Sequence, residues 1–157
     1  MLLPCRKDFD NLIVFRVGRM EPDLDSNDVK LPYRYERGDG RIKHCWNRSE
    51  AGFEPCGHGQ VGKCANTITD DIAQGLLETG LYLSADMPDE SESHPEEIFN
   101  VYQGVIYVAV PTRPSVSYHG YPYKGRLPKR LLDRLRTRAM DQDYESQFKK
   151  WTKTFIR

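Results

Sequence analysis

The apolar positions of this chain fall into short runs divided by long polar stretches, and the period of each run indicates the element it forms. Residues 12–17, LIVFRV, combine β-branched and aromatic side chains and stop at Gly18, which predicts a strand. A brief strand is expected around 31–35. Residues 67–80, TITDDIAQGLLETG, predict a helix with Ile72, Ala73, Leu76 and Leu77 on one face. Thr69 can accept from an N-terminal backbone N–H, Asp70 and Asp71 favour the positive end of the helix dipole, and Gly80 suits a left-handed C-terminal position. LYLSA at 81–85 reads as a strand. IFNVYQGVIYVAVPT at 98–112 reads as a hairpin turning near Gln103-Gly104, and SVSYHGY at 115–121 as a further strand. Two helices follow. In the first, Pro128 fits an early position, and Leu127, Leu131, Leu132 and Leu135 make a buried stripe. In the second, Asp141 is the expected N-cap, and Tyr144, Phe148, Trp151 and Phe155 recur at helical spacing and should pack on the sheet.

The strands cluster instead of alternating with helices, so the fold class is α+β. The expected architecture is a small antiparallel sheet of three to five strands with one central and two C-terminal helices, mostly on one face. The 157 residues suit a single domain spanning 1–157. Residues 38–66 form a loop-rich Cys/His segment. A structureless loop of that length is unusual, so a metal, disulfides or extended pairing should brace it.

Composition narrows the class. Hydrophobic content of 38% against 29% charged predicts a modest core under a very polar surface. No run approaches the ~18 apolar residues of a membrane span, and MLLPCRKDFD lacks the apolar centre of a signal peptide. A cytoplasmic chain without membrane contact is expected. The formal net charge of zero conceals a division: residues 124–157 hold eleven Lys/Arg against four Asp/Glu, and the rest hold twelve against nineteen. The excess points residues 124–138 toward a nucleic acid or other polyanion. Conversely, ADMPDESESHPEE at 85–97 holds six acids in thirteen residues. It predicts an exposed loop whose residues 86–97 suit a basic protein partner.

Residues 55–64, PCGHGQVGKC, fit several chemistries. Gly57 to Lys63 satisfy G-x-x-x-x-G-K, yet Cys64 stands where a phosphate loop needs a magnesium-binding hydroxyl, and no buried strand precedes. Gly57, Gly59 and Gly62 also match G-x-G-x-x-G, again without a βαβ unit. Their glycines then serve tight turns. His94-Pro95-Glu96 with Pro55-Cys56 has the parts of a nucleobase-deaminase signature in the wrong order. The metal reading is stronger. Cys45, Cys56, His58 and Cys64 supply the four soft and borderline ligands of a structural zinc, with His44 as a substitute. Their spacing does not separate zinc from disulfides.

SYHGYPYKGRLPKR at 117–130 is the second chemical region. Here His119 is the candidate proton-transfer group, Arg126 (or Lys124) the stabiliser of developing charge and Tyr121 the substrate-orienting residue. Tyr118 and Tyr123 can stack bases, and Lys124, Lys129, Arg130 and Arg134 can contact phosphates. The expected function is nucleic-acid recognition with phosphodiester cleavage. The element order over 67–130 is similar to compact bacterial toxin ribonucleases, in which helices precede a small antiparallel sheet that carries the site. That likeness implies RNA binding and nuclease activity. A second class is a non-enzymatic protein-interaction module stapled by zinc or disulfides. A third follows from Arg16 in VFRV and Ser84 in LYLSA, which resemble the early strand and Ser-centred strand of mono-ADP-ribosyltransferases. Those enzymes imply a downstream Glu, and here Glu145 falls on a predicted helix.

Overall fold

A computed structural model describes residues 24–25, 30–37, 44–83 and 94–157. The strand expected at 12–17, with Arg16, lies outside them, as do Ser84 and most of the acidic loop.

The fold is α+β, built on a four-stranded sheet. Strands β6 (Ile98–Tyr102) and β7 (Val105–Arg113) form the expected hairpin. Its two-residue turn, Gln103-Gly104, has φ of 50° and 80°. Positive φ at both turn positions matches the right-handed twist of the strands, and glycine carries the second at least cost. The turn also lies against the last helix, where a Cβ on Gly104 would stand 2.5 Å from the Gln147 Cβ. Strand β8 (Ser117–Pro122) pairs antiparallel with β7, and β2 (Arg34–Tyr35) adds to its outer edge in parallel. The sheet is therefore mixed, not antiparallel. Alternation along 31–35 places Leu31, Tyr33 and Tyr35 around the buried Tyr118, but a period of two records which face is buried and not which way the strand runs.

Helices cover both faces, and two of the three share one, in keeping with the expectation of helices mostly on one face. Helix α1 (Asp70–Glu78) packs on one side, with Leu77 against Ile98 and Tyr118. Helices α2 (Lys129–Asp141) and α3 (Glu145–Phe155) pack on the other, with Leu131, Leu135, Ala139, Phe148 and Trp151 against Phe99, Val101, Ile106 and Val108. Ile98 and Asn100 thus face α1 while Phe99 and Val101 face α2 and α3, which is why all four are buried.

The ends of the helices divide between expectation and correction. The Thr69 hydroxyl accepts from the Ile72 N–H at 3.2 Å. Gly80 does not take a positive φ. Its role is close approach, since a Cβ there would lie 2.1 Å from Ile98 Cγ2. Asp141 is the last residue of α2 and not the cap of α3. The stripe continues through Ala139, and Asp143 then turns the chain with φ of 62°. Its N–H donates to Met140 O at 2.9 Å, and the Tyr144 N–H donates to Ala139 O at 2.8 Å. This is the Schellman arrangement, with Asp in place of the usual glycine.

Within the loop-rich segment lies a hairpin of β3 (Gly52–Cys56) and β4 (Gly59–Lys63). Extended pairing braces it. Phe53 lies 5.0 Å from Phe155 and 5.9 Å from Trp151, ring centre to ring centre. Gly62 sits so close to β8 that a Cβ would be 3.0 Å from Pro122 O. At its base, the Cys64 N–H donates to His44 O at 2.8 Å. Strands β1 (Leu24–Asp25) and β5 (Tyr82–Leu83) pair with each other, completing the elements.

Candidate functional site

Strand β2 leaves the outer edge of β8 after the Glu36 N–H donates to Tyr118 O at 2.8 Å. Farther along that edge, β4 approaches Pro122, and the Cys64 thiol reaches the Gly120 carbonyl at 3.7 Å. Between the departing strand and the arriving hairpin opens a cleft of about 140 Å³. Tyr35, Arg37, His44, Cys45, Trp46, Cys64 and His119 line it. A gap between strand edges exposes backbone and side chains that a continuous sheet would bury.

His119 stands opposite Val110 in the β7–β8 ladder, so it shares a face with Tyr121 and not with Tyr118. It is 8% exposed, and its Nδ1 lies 2.8 Å from the Thr112 hydroxyl. His44 reaches the same place from the base of the hairpin. Its Nδ1 is 2.8 Å from the Gly62 carbonyl oxygen. A carbonyl only accepts, so Nδ1 carries the hydrogen and the neutral ring holds its lone pair on Nε2. The His44 ring stacks on Tyr121 at 5.0 Å and 14°. Its centre is 6.1 Å from that of His119, with 28° between the planes. Two imidazoles of different hydrogen bonding thus meet at one cleft, one of them with an assigned tautomer.

The surrounding groups are held by ion pairs and burial. Arg37 brings a cation to the rim and pairs with Asp70 Oδ1 at 2.8 Å. Burial, then the neighbouring Cys64, pushes the Tyr35 hydroxyl up to about 12, so it stays a neutral donor. Burial also pushes the Cys64 thiol up to about 12, with Cys45 adding to the rise. Cys64 is therefore a protonated thiol and a poor nucleophile. Trp46 donates from Nε1 to Glu50 O at 3.0 Å, and the Arg48 guanidinium lies 4.7 Å over its ring. A test follows from exposure. Iodoacetamide at about pH 8 should modify Cys45 and Cys56 quickly and the half-buried Cys64, whose pKa is raised, far more slowly in the folded protein. Peptide mass mapping reads this, and equal labelling of Cys64 would contradict its burial.

The other residues expected from sequence disperse. Tyr121 forms part of the imidazole stack. Tyr118 is fully buried and donates to Pro95 O at 2.6 Å, so it presents no ring to a base. The Tyr123 hydroxyl donates to Arg126 O at 3.0 Å, and its ring meets Phe99 edge-on. Arg126 and Lys124 belong to a different cleft, beyond the end of β8. Lys129, Arg130 and Arg134 ride on α2, which packs beside β6, two strand spacings or ~10 Å from β8. Cys45 and Cys64 are bridge partners at the hairpin base, whereas Cys56 and His58 are at its exposed tip, on the order of 15 Å away along the strands. Among the described residues no three His, Cys, Asp or Glu side chains gather in a metal-sized group, and Cys45, Cys56 and Cys64 are free thiols. Glu145 lies on α3, where it pairs with Arg136 and Lys149. Gly57-His58 is the turn of a β-hairpin, with no helix beginning after it as a phosphate loop requires. No described helix is long and apolar enough to cross a membrane.

His44, Thr112 and Arg37 join the site without having been selected as catalytic from the sequence. Only for His44 was there a signal, as a substitute ligand, and it pointed to different chemistry. Comparison with protein-family models, with curated proteins and with solved structures yields no significant match, so the cleft's own geometry must carry the functional reading.

Proposed function

We propose that this protein cleaves RNA by general acid–base catalysis, with His44 and His119 as the proton-transfer pair. The carrying observation is the 6.1 Å approach of the two rings at one cleft. In this reading His44 Nε2 removes the proton of a ribose 2′-hydroxyl, and that oxygen attacks the adjacent phosphorus. His119, protonated, gives its proton to the departing 5′-oxygen. The products are a 2′,3′-cyclic phosphate and a free 5′-hydroxyl, and water can later open the ring by the reverse proton transfers. Arg37 lines the same cleft and is the cation placed to stabilise the developing charge. Trp46 offers an aromatic face for a base.

The experiment is incubation of a labelled single-stranded RNA and its DNA counterpart with the purified protein at low salt. RNA should be cut to cyclic-phosphate ends and DNA left whole, because DNA lacks the attacking hydroxyl. Equal cleavage of DNA, or intact RNA, would remove this reading.

A further inference from the structure

Cys45 and Cys64 meet at the base of the β3–β4 hairpin. The Cys64 N–H donates to His44 O at 2.8 Å, and the two cysteines are partners in a parallel bridge. The register is fixed on the far side as well. There the Asn66 N–H donates to Arg48 O at 2.8 Å, and Asn66 Nδ2 donates to Asn47 O at 3.1 Å. Neighbouring extended chains lie ~4.8 Å apart, and residues opposite each other project to one face. A disulfide needs Cα atoms roughly 4.4–6.8 Å apart, so bridge partners fall inside the span it can join. Both side chains line the cleft that holds the two imidazoles. The sulfurs also feel each other's charge: after burial, Cys45 is the next cause of the raised pKa of Cys64.

Access differs between the partners. Cys45 is exposed and open to a reagent in solution, whereas Cys64 is half-buried, with its thiol 3.7 Å from Gly120 O. Cys56 is exposed too, but it stands at the other end of the hairpin and has no cysteine opposite it.

We propose that Cys45 and Cys64 are a dithiol that closes reversibly into a disulfide in the wall of the imidazole cleft. The oxidant is a small disulfide such as oxidised glutathione. The Cys45 thiolate attacks one of its sulfurs and expels a glutathione thiolate, leaving a mixed disulfide. The Cys64 sulfur gives its proton to solvent, attacks the Cys45 sulfur and expels the second glutathione thiolate. Two protein thiols are oxidised, and one glutathione disulfide is reduced to two thiols. In the mixed disulfide Cys45 carries no charge, so it no longer opposes ionisation of Cys64. Cys45 directly follows His44, so closure fixes the backbone that carries the proposed base. That consequence rests on the ribonuclease reading, and the disulfide itself does not.

The test uses the full chain as Cys5→Ser/Cys56→Ser, which leaves only this pair of thiols. It is equilibrated, folded and in denaturant, with a series of oxidised-to-reduced glutathione ratios. Peptide mapping without reduction should find Cys45 joined to Cys64, and dithiothreitol should restore both thiols. The effective concentration of the pair should be about 10²-fold higher in the folded chain than in the unfolded one, the ratio expected for closing a loop of about 20 residues. Equal values, or a mixed disulfide left standing on Cys45, overturn the pair. By NMR, the His44 ring signals should shift on oxidation while those of His58, at the hairpin tip, stay in place. Unmoved His44 signals with the disulfide formed overturn the link to the imidazole cleft. RNA left intact by both the reduced and the oxidised protein removes the ribonuclease reading alone, because the disulfide is read without RNA.

Discussion

His119→Ala should lower the RNA-cleavage rate constant by about 10²–10⁴-fold with KM little changed, and His44→Ala should do the same. The reason is that each ring moves a proton only as the transition state forms, so its loss is felt in kcat. The pH profile separates the two roles. A base must be deprotonated, so His44 gives the limb that rises with pH. An acid must be protonated, so His119 gives the limb that falls. The wild-type profile should be a bell, with one limb from each ring. His44→Ala should lose the rising limb and His119→Ala the falling one. His119→Gln is the structural control, because it can keep a hydrogen bond to Thr112 but cannot transfer the proton. If it cleaves as fast as the wild type, His119 only packs. The double variant should be scarcely slower than either single one, because the two rings act in one step.

Asn100→Ala should be the most damaging polar substitution for stability, by about 3–5 kcal/mol. Asn100 is 5% exposed on β6. Its amide nitrogen donates to Leu76 O at 2.8 Å and to the Thr79 hydroxyl at 3.0 Å, at the end of α1. Its oxygen accepts from the Val101 N–H and from Arg138 Nη1, both at 2.9 Å. Arg138 also donates from Nη1 to Thr79 O at 2.5 Å. One side chain therefore joins α1, β6 and α2 across the sheet. Burial, followed by the nearby Arg134, lowers the pKa of Arg138, yet a guanidinium stays charged, so its half-buried charge needs these acceptors. Alanine would strip an acceptor from a half-buried guanidinium and donors from the α1 terminus at once. Thermal unfolding should show a midpoint lower by roughly 6–20 °C, at ~2–4 °C per kcal/mol for a chain of this size. Asn100→Asp should fall between, because it keeps the Arg138 contact and loses both donors. A loss below about 1 kcal/mol in Asn100→Ala would show that the network is dispensable.

The elements legible in the sequence are those whose determinants lie within a few residues. The Thr69 cap, the apolar face of α1, the Gln103-Gly104 turn and the aromatic stripe of α3 are local, and each stands where its pattern puts it. The β3–β4 hairpin was not legible. GFEPC and GQVGK hold few strand-formers, and Pro55 argues against a strand, so the pairing is supported from outside by Phe53 on α3 and Gly62 on β8. The end of α2 was misplaced because Asp143 performs a turn usually given to glycine.

Sequence by itself determined the residue chemistry: an α+β chain, a histidine among tyrosines on one strand, and a basic excess after residue 124. Tertiary structure decided how that chemistry is grouped. It carried the α2 cations to the far edge of the sheet, buried Tyr118, placed Lys124 and Arg126 at a separate cleft, and set His44 beside His119. Local periods record which face of a strand or helix is buried. They hold no information on which distant segments meet, because strand order and direction are chosen by the packing of the whole core.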